Sequence, residues 1–186
     1  MNVYLIRHTT PDVPSGICYG QSDIPLTSSF ADECATLRAK LPPRWDRVYC
    51  SPLSRCRRLA ERLRPQPAED ARLRELNFGD WEGQAWNDID PVQLNPWMDD
   101  FVNVACPRGE SYRTLAARVT DFWKDITGND KQQNVAVVTH AGPIRALLAH
   151  TLSLSLEYSF RLSIDYASVS LVRWQNQYAT IQFINK

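Results

Sequence analysis

Arg7 and His8 stand side by side where the first hydrophobic run, Asn2-Val3-Tyr4-Leu5-Ile6, comes to an end. Ionisable side chains are costly to bury without partners, so packing alone gives a strand no reason to end in such a pair. A second histidine, His140, ends a similar run, Asn134-Val135-Ala136-Val137-Val138-Thr139. In an α/β sheet ligands bind at the carboxyl ends of the strands, and two imidazoles with an arginine there suit an anion. Phosphoryl transfer uses these residue types, because most of its catalysis is stabilisation of charge on phosphate oxygens. Arginine's planar fork grips two oxygens at once, which makes Arg7 and Arg55 candidate clamps. A neutral imidazole, with its ordinary pKa of ~6.5, is a competent nucleophile at neutral pH. Once phosphorylated and then hydrolysed, it divides one hard displacement into two easier ones. The leaving alcohol needs a proton, and the segment Leu73 to Gly83 offers two carboxyl candidates, Glu75 and Glu82. Each residue alone has a plainer reading: Arg55 as an exposed helix charge, His140 as a satisfied strand-end histidine, Glu75 as a surface carboxylate. Their places after successive strands argue for the site.

The elements that must position these residues follow from periodicity. The runs 2–6, 47–50 and 134–139 read as strands. Pro11 to Pro25 is too punctuated for regular structure. Ser28 or Ser29 is placed to cap a helix through Phe30, Cys34, Leu37 and Leu41, stopped by Pro42-Pro43. Ser51 reads as the N-cap of the next helix, with Pro52 at its first position and its end before Pro65. Residues 66–108 form an irregular excursion containing Trp81, Trp86 and Trp97. Glu110 to Ile126 is the clearest helix, its apolar residues spaced by three and four, and a further helix runs from about Pro143 to His150. The runs 167–174 and 178–184 are β-prone and joined by Gln175-Asn176-Gln177, a hairpin signal. This alternation predicts one α/β domain over residues 1–186: a three-layer α/β/α sandwich with a mostly parallel central sheet and a C-terminal hairpin-like pair of strands.

Composition narrows the function further. The 21 basic and 21 acidic residues cancel, which argues against broad electrostatic binding to nucleic acid or an anionic membrane and leaves room for a local phosphate pocket. No apolar stretch is long enough to span a bilayer, and the N-terminus lacks a signal-peptide pattern. Five cysteines, without zinc-ligand spacing, read as reduced thiols in a cytoplasmic protein. Cys50 and Cys56 are close enough in sequence to form a redox pair, but buried structural thiols are the simpler reading.

Four segments together resemble the histidine phosphatase superfamily, the phosphoglycerate-mutase-like enzymes. They are Leu5-Ile6-Arg7-His8, Ser51-Pro52-Leu53-Ser54-Arg55-Cys56, Glu75 through Gly83, and Val138-Thr139-His140-Ala141-Gly142. They occur in the family's order and span most of the chain. The resemblance implies that His8 is the phosphorylated nucleophile, that Arg7, Arg55 and His140 bind the phosphate, and that Glu75 is the proton donor. Glu82 reads as a structural turn residue, and no metal or organic cofactor is implied. Two departures stand out. The family's Arg-His-Gly is Arg7-His8-Thr9 here, so the turn must accommodate a side chain. The family's frequent phosphate-contacting Asn is replaced by Pro14, with Thr10, Ser15 or Gln21 as candidate substitutes.

Within the superfamily, Cys18 through Thr27 looks most like the α-ribazole phosphatases, which makes Tyr19, Gly20 and Gln21 candidate substrate-binding residues. The expected activity is hydrolysis of a small-molecule phosphate ester through phosphohistidine, with α-ribazole 5′-phosphate as the expected substrate in cobalamin biosynthesis. Phosphatases of other sugar or nucleotide esters, or of broad specificity, are the nearest alternative. A phosphoglycerate mutase fits less well, since its relatives are usually longer. A catalytically silent phosphate-binding module fits least, because both His8 and the acid are present. The sequence does not specify an oligomeric state.

Overall fold

The computed structural model describes residues 1–128 and 133–186. Its strands form one six-stranded sheet in the order β3-β2-β4-β1-β5-β6. At the centre, β1 (Asn2–Arg7) and β4 (Asn134–Thr139) run parallel with Arg7 opposite Thr139, and β2 (Arg47–Cys50) runs parallel to β4 with Cys50 opposite Val138. This register brings the three carboxyl ends within one residue of one another. His8, Ser51 and His140 are the first residues past them. The ladder carries on there: His8 N–H donates to the Thr139 carbonyl and Ser51 N–H to that of Val138, each at 3.0 Å. The short β3 (Ala68–Glu69) extends the parallel side.

On the other side β5 (Val169–Gln175) and β6 (Tyr178–Phe183) are antiparallel. Asn176 and Gln177, which join them, have φ of 52° and 61°. Two left-handed residues give a tight turn whose twist matches the flanking strands.

Alternation along the strands separates two cores. Val3, Leu5, Val135, Val137 and Val172 pack with α4 (Tyr112–Thr127) and α5 (Ala141–Leu152). Ile6, Val48, Ala136, Val138 and Val169 pack with α1 (Phe30–Arg38) and α2 (Ser54–Leu63) on the opposite face. The central strands are therefore apolar on both sides, as a covered parallel sheet requires, and the three-layer sandwich is formed. In α4, Leu115, Val119, Phe122 and Ile126 lie on one buried stripe. Ser111 caps it by accepting from the Thr114 N–H.

Several expected boundaries move. α2 begins at Ser54 with Leu53 at the cap, so Ser51 is still extended chain and does not cap it. Ser29 stands at the head of α1, but its hydroxyl donates to the Glu33 carboxylate instead of accepting a backbone N–H, and the helix ends at Arg38, short of Leu41. The excursion 66–108 is not irregular throughout. It holds α3 (Pro91–Asp99), with Pro91 at the first turn and Asp90 accepting from the Val92 N–H. α5 starts directly after His140 rather than at Pro143. All five cysteines carry free thiols. Burial pushes Cys50 up to about 12 and Cys56 well above its ordinary value, so both stay protonated and unreactive. Among the described residues no helix is long and apolar enough to cross a membrane.

Candidate active site

His8 is buried at the end of β1, its Nδ1 2.7 Å from the Thr9 carbonyl. A carbonyl only accepts, so Nδ1 carries the proton and Nε2 keeps its lone pair. Burial, then the charges of Arg55 and Arg7, hold the imidazole well below its ordinary pKa. It is therefore neutral at neutral pH, the state a nucleophile needs. Thr9 is not among the residues with positive φ, so the turn after His8 takes a side chain without backbone strain.

Two guanidinium groups flank this histidine. Arg7 donates from Nη1 to the Ile164 carbonyl at 2.6 Å, and its Cζ lies 3.7 Å from the centroid of the Tyr166 ring. Arg55 is wholly buried and donates from Nη1 to Ser22 O at 2.7 Å and from Nη2 to Gly20 O at 2.6 Å. Neither pairs with a carboxylate among the described residues. In both the Nε–H is buried and without a partner among those residues. Unpaired cations are expensive to bury, and two of them beside one histidine favour an anion there.

His140 lies beneath, its ring centroid 5.0 Å from that of His8. Its Nε2 meets Ser51 Oγ at 2.8 Å and Cys56 Sγ at 3.4 Å. Burial first, then Arg55, His8 and Arg7, keep it neutral as well.

The two carboxylates differ. Glu75 accepts from its neighbour Leu76 N–H at 2.9 Å and, through the other oxygen, from Gly142 N–H at 3.2 Å, in the first turn of α5. Its own carbonyl is held by Arg118 Nη2 at 2.9 Å and Gln21 Nε2 at 3.0 Å. Gly142 is needed for close approach, since a Cβ there would stand 2.2 Å from Glu75 Oε1. Glu82 instead accepts from the Gln21, Ser22 and Phe78 N–H groups and from the Ser22 hydroxyl. Its acceptor capacity goes to pinning the loop that carries Tyr19.

A cavity of about 330 Å³ opens above this cluster, with Arg7, His8, Arg55 and Glu75 on its wall. Tyr19, Phe78, Trp86, Tyr112 and Phe160 form an aromatic remainder, and Arg145 adds a further cation. Tyr19 shares a hydrogen bond with the Tyr166 hydroxyl, and burial together with that bond raises its phenol well above the ordinary value. Among the described residues no group of three or more His, Cys, Asp or Glu is arranged to hold a metal ion.

The structure thus gathers Arg7, His8, Arg55 and Glu75 at one wall with His140 directly behind, and puts Tyr19 on the rim. Gly20 and Gln21 are not on that wall, contrary to expectation. The Gly20 carbonyl and the Gln21 amide are turned inward, one to Arg55 and the other to the Glu75 backbone. None of Thr10, Ser15 and Gln21 lines the cavity in place of the absent Asn. Thr10 Oγ1 is bound to Glu33, and Ser15 is exposed. Sequence reasoning missed Ser51 as the partner of His140, Arg118 as a support of Glu75, Tyr112, Arg145 and Phe160 on the cavity wall, and Tyr166 against Arg7. Arg145 did carry a signal, as the one arginine in the otherwise apolar stretch Ala141–Ala149.

Known proteins match this chain in sequence and in fold. The model of the histidine phosphatase superfamily (branch 1) matches residues 3–186. Adenosylcobalamin/alpha-ribazole phosphatase of Escherichia coli (strain K12) is 27% identical over 100% of this chain and 96% of its own. Phosphoserine phosphatase 1 of Hydrogenobacter thermophilus is 25% identical over 100% of this chain and 92% of its own. The crystal structure of the alpha-ribazole phosphatase from Shigella flexneri superposes with a TM-score of 0.91 at 25% identity, covering 100% of this chain and 96% of that one.

Proposed function

The chain belongs to the histidine phosphatase superfamily and is a phosphatase; from that premise we propose that it hydrolyses α-ribazole 5′-phosphate through a phosphohistidine on His8. The observation that carries the chemistry is a neutral His8, its Nδ1 held by the Thr9 carbonyl, beside two arginines that pair with no carboxylate among the described residues. A phosphate placed between the two guanidinium groups would meet their charge and present phosphorus to Nε2. His8 then attacks in line, the P–N bond forms, and the P–O bond to the alcohol breaks. Glu75 gives its proton to the departing oxygen. In the second step Glu75 takes a proton from water, the water oxygen attacks phosphorus, and the P–N bond breaks to return neutral His8 and free phosphate. Arg7 and Arg55 neutralise the oxygens in both steps without having to reorganise, because backbone carbonyls already hold their forks. Ser51 engages Nε2 of His140 and Cys56 Sγ lies 3.8 Å from its Nδ1, so His140 would meet a phosphate oxygen by exchanging one of these contacts.

The aromatic wall supports the choice of alcohol. Trp86 and Phe78 on the cavity wall are aromatic surface against which a flat base can pack at low entropic cost. Binding energy gained at the base would orient the phosphate for attack. The five free thiols suit a reducing compartment, which favours the cytoplasm. The test is a ranking of kcat/KM for α-ribazole 5′-phosphate, ribose 5-phosphate and phosphoserine. α-Ribazole 5′-phosphate is expected first. Equal efficiency with ribose 5-phosphate, which lacks the base, would end the α-ribazole assignment and leave the phosphatase chemistry standing.

A further inference from the structure

One charged group on the cavity wall has no part in the steps above. Arg145 sits on α5, five residues beyond His140. Its Nε donates to the Leu162 carbonyl at 2.9 Å, and its Cζ lies 5.0 Å from the centroid of the Phe160 ring. Its Nη1 and Nη2 make no hydrogen bond among the described residues, and no carboxylate pairs with it there. This is the reverse of Arg7 and Arg55, which commit Nη groups to backbone carbonyls and whose Nε has no partner among the described residues. Arg145 is half-buried, and that burial lowers the affinity of its guanidinium for the proton. A cation so placed, with its outer donors unused, gains from an acceptor brought into the cavity.

The phosphate does not need it, since His8, Arg7 and Arg55 already serve that end. We propose that Arg145 recognises the leaving alcohol, donating from Nη1 and Nη2 to an oxygen or nitrogen acceptor that the alcohol carries beyond its ester oxygen. This rests on the cavity being a phosphomonoester site but not on which alcohol fills it. A carboxylate can take both donors as a fork. A nucleoside offers a ring nitrogen or sugar hydroxyls and takes fewer.

The test compares wild type, Arg145→Lys and Arg145→Met on α-ribazole 5′-phosphate, phosphoserine and phenyl phosphate, the last having no acceptor beyond the ester. Loss of a charged hydrogen bond should lower kcat/KM of the preferred acceptor-bearing ester by about 10- to 100-fold more than that of phenyl phosphate, largely through KM. Lysine should restore part of the difference, because it keeps the charge without the fork. An equal loss on all three esters would assign Arg145 to structure or to the phosphate and overturn the proposal. If the methionine variant does not fold, the lysine variant decides by the same ratio. If phosphoserine is the better wild-type substrate and the selective loss persists, the α-ribazole reading fails and the role of Arg145 stands.

Discussion

The two ends of the cavity are built by different means. The phosphate end is a product of strand register: β1, β2 and β4 finish within one residue of one another, and His8, Ser51 and His140 are the first residues past them. Its arginines are tied to backbone carbonyls, so the cationic forks are in place before any ligand arrives. The alcohol end is made of side chains from turns and short helical segments, Tyr19, Phe78, Trp86 and Phe160, with Phe160 still 52% exposed. Backbone hydrogen bonding sets one end and side-chain packing the other. Chemistry shared by many esterases can therefore stay fixed while the choice of alcohol varies with loops.

The largest effect that tests this division is expected at the phosphate end. Arg55→Ala should lower kcat/KM on every ester by about two to three orders of magnitude, the usual cost of a lost charge-assisted donor in such a site. Arg58, one turn along and exposed beside Phe30, should matter little when changed to alanine. Equal losses at both positions would point to damage to α2 instead. Steady-state kinetics on both variants, with thermal melts, separates these outcomes.

Glu75 stands where the two ends meet. Glu75→Gln should slow esters with poor leaving groups far more than p-nitrophenyl phosphate, whose leaving group needs little protonation. Glu82→Gln should instead weaken all esters alike, because an amide has one oxygen in place of two to hold the Gln21, Ser22 and Phe78 N–H groups. A leaving-group dependence at Glu82 would move the acid there.

A smaller effect is expected from Gly142→Ala. The new methyl would displace the end of the Glu75 side chain rather than backbone, so melting should change little. Activity on poor leaving groups should fall by about tenfold, in line with about 1.4 kcal/mol of misplacement of the acid. A large drop in melting temperature would show that the contact is chiefly structural.

Stability should also report the division through pH. His8 and His140 are held neutral in the folded chain, while in the unfolded chain each binds a proton below ~6.5. Between that value and the lower folded one the unfolded state binds more protons. Unfolding free energy should therefore fall as pH drops below ~6.5, by up to about 1.4 kcal/mol per pH unit for each histidine. Denaturant titrations from pH 7.5 to 5 check this, and His140→Gln should remove about half of that slope. The alcohol end has no histidine on its wall, so replacing Phe160 should leave the slope as it is.

How much of this can be read from the sequence follows the same line. The strand 134–139 and the pair Arg7-His8 are legible, because a run apolar on both faces must be buried, and ionisable groups at its end then need a ligand or a partner to offset their desolvation. Ser51 reads falsely as a cap because Ser-Pro is a good local signal for a helix start, while its actual partner, His140, lies 89 residues away. Pro91 and Pro96 conceal α3, although Asp90-Pro91 is itself a helix-start signal. Gly20 and Gln21 are expected on the cavity wall, and spacing cannot show that one instead contributes a carbonyl to Arg55 and the other an amide to the Glu75 backbone. Arg145 is visible as a lone charge in an apolar helix, and only the fold shows what it faces.

The central claim, that His8 Nε2 is the nucleophile, is tested most directly by trapping. Wild-type protein mixed rapidly with a phosphate-labelled ester and quenched in base should carry label on His8 alone, in an adduct that is stable in base and lost in acid, and His8→Ala should carry none and turn over no ester. Label on another residue, or undiminished turnover by His8→Ala, would contradict the account.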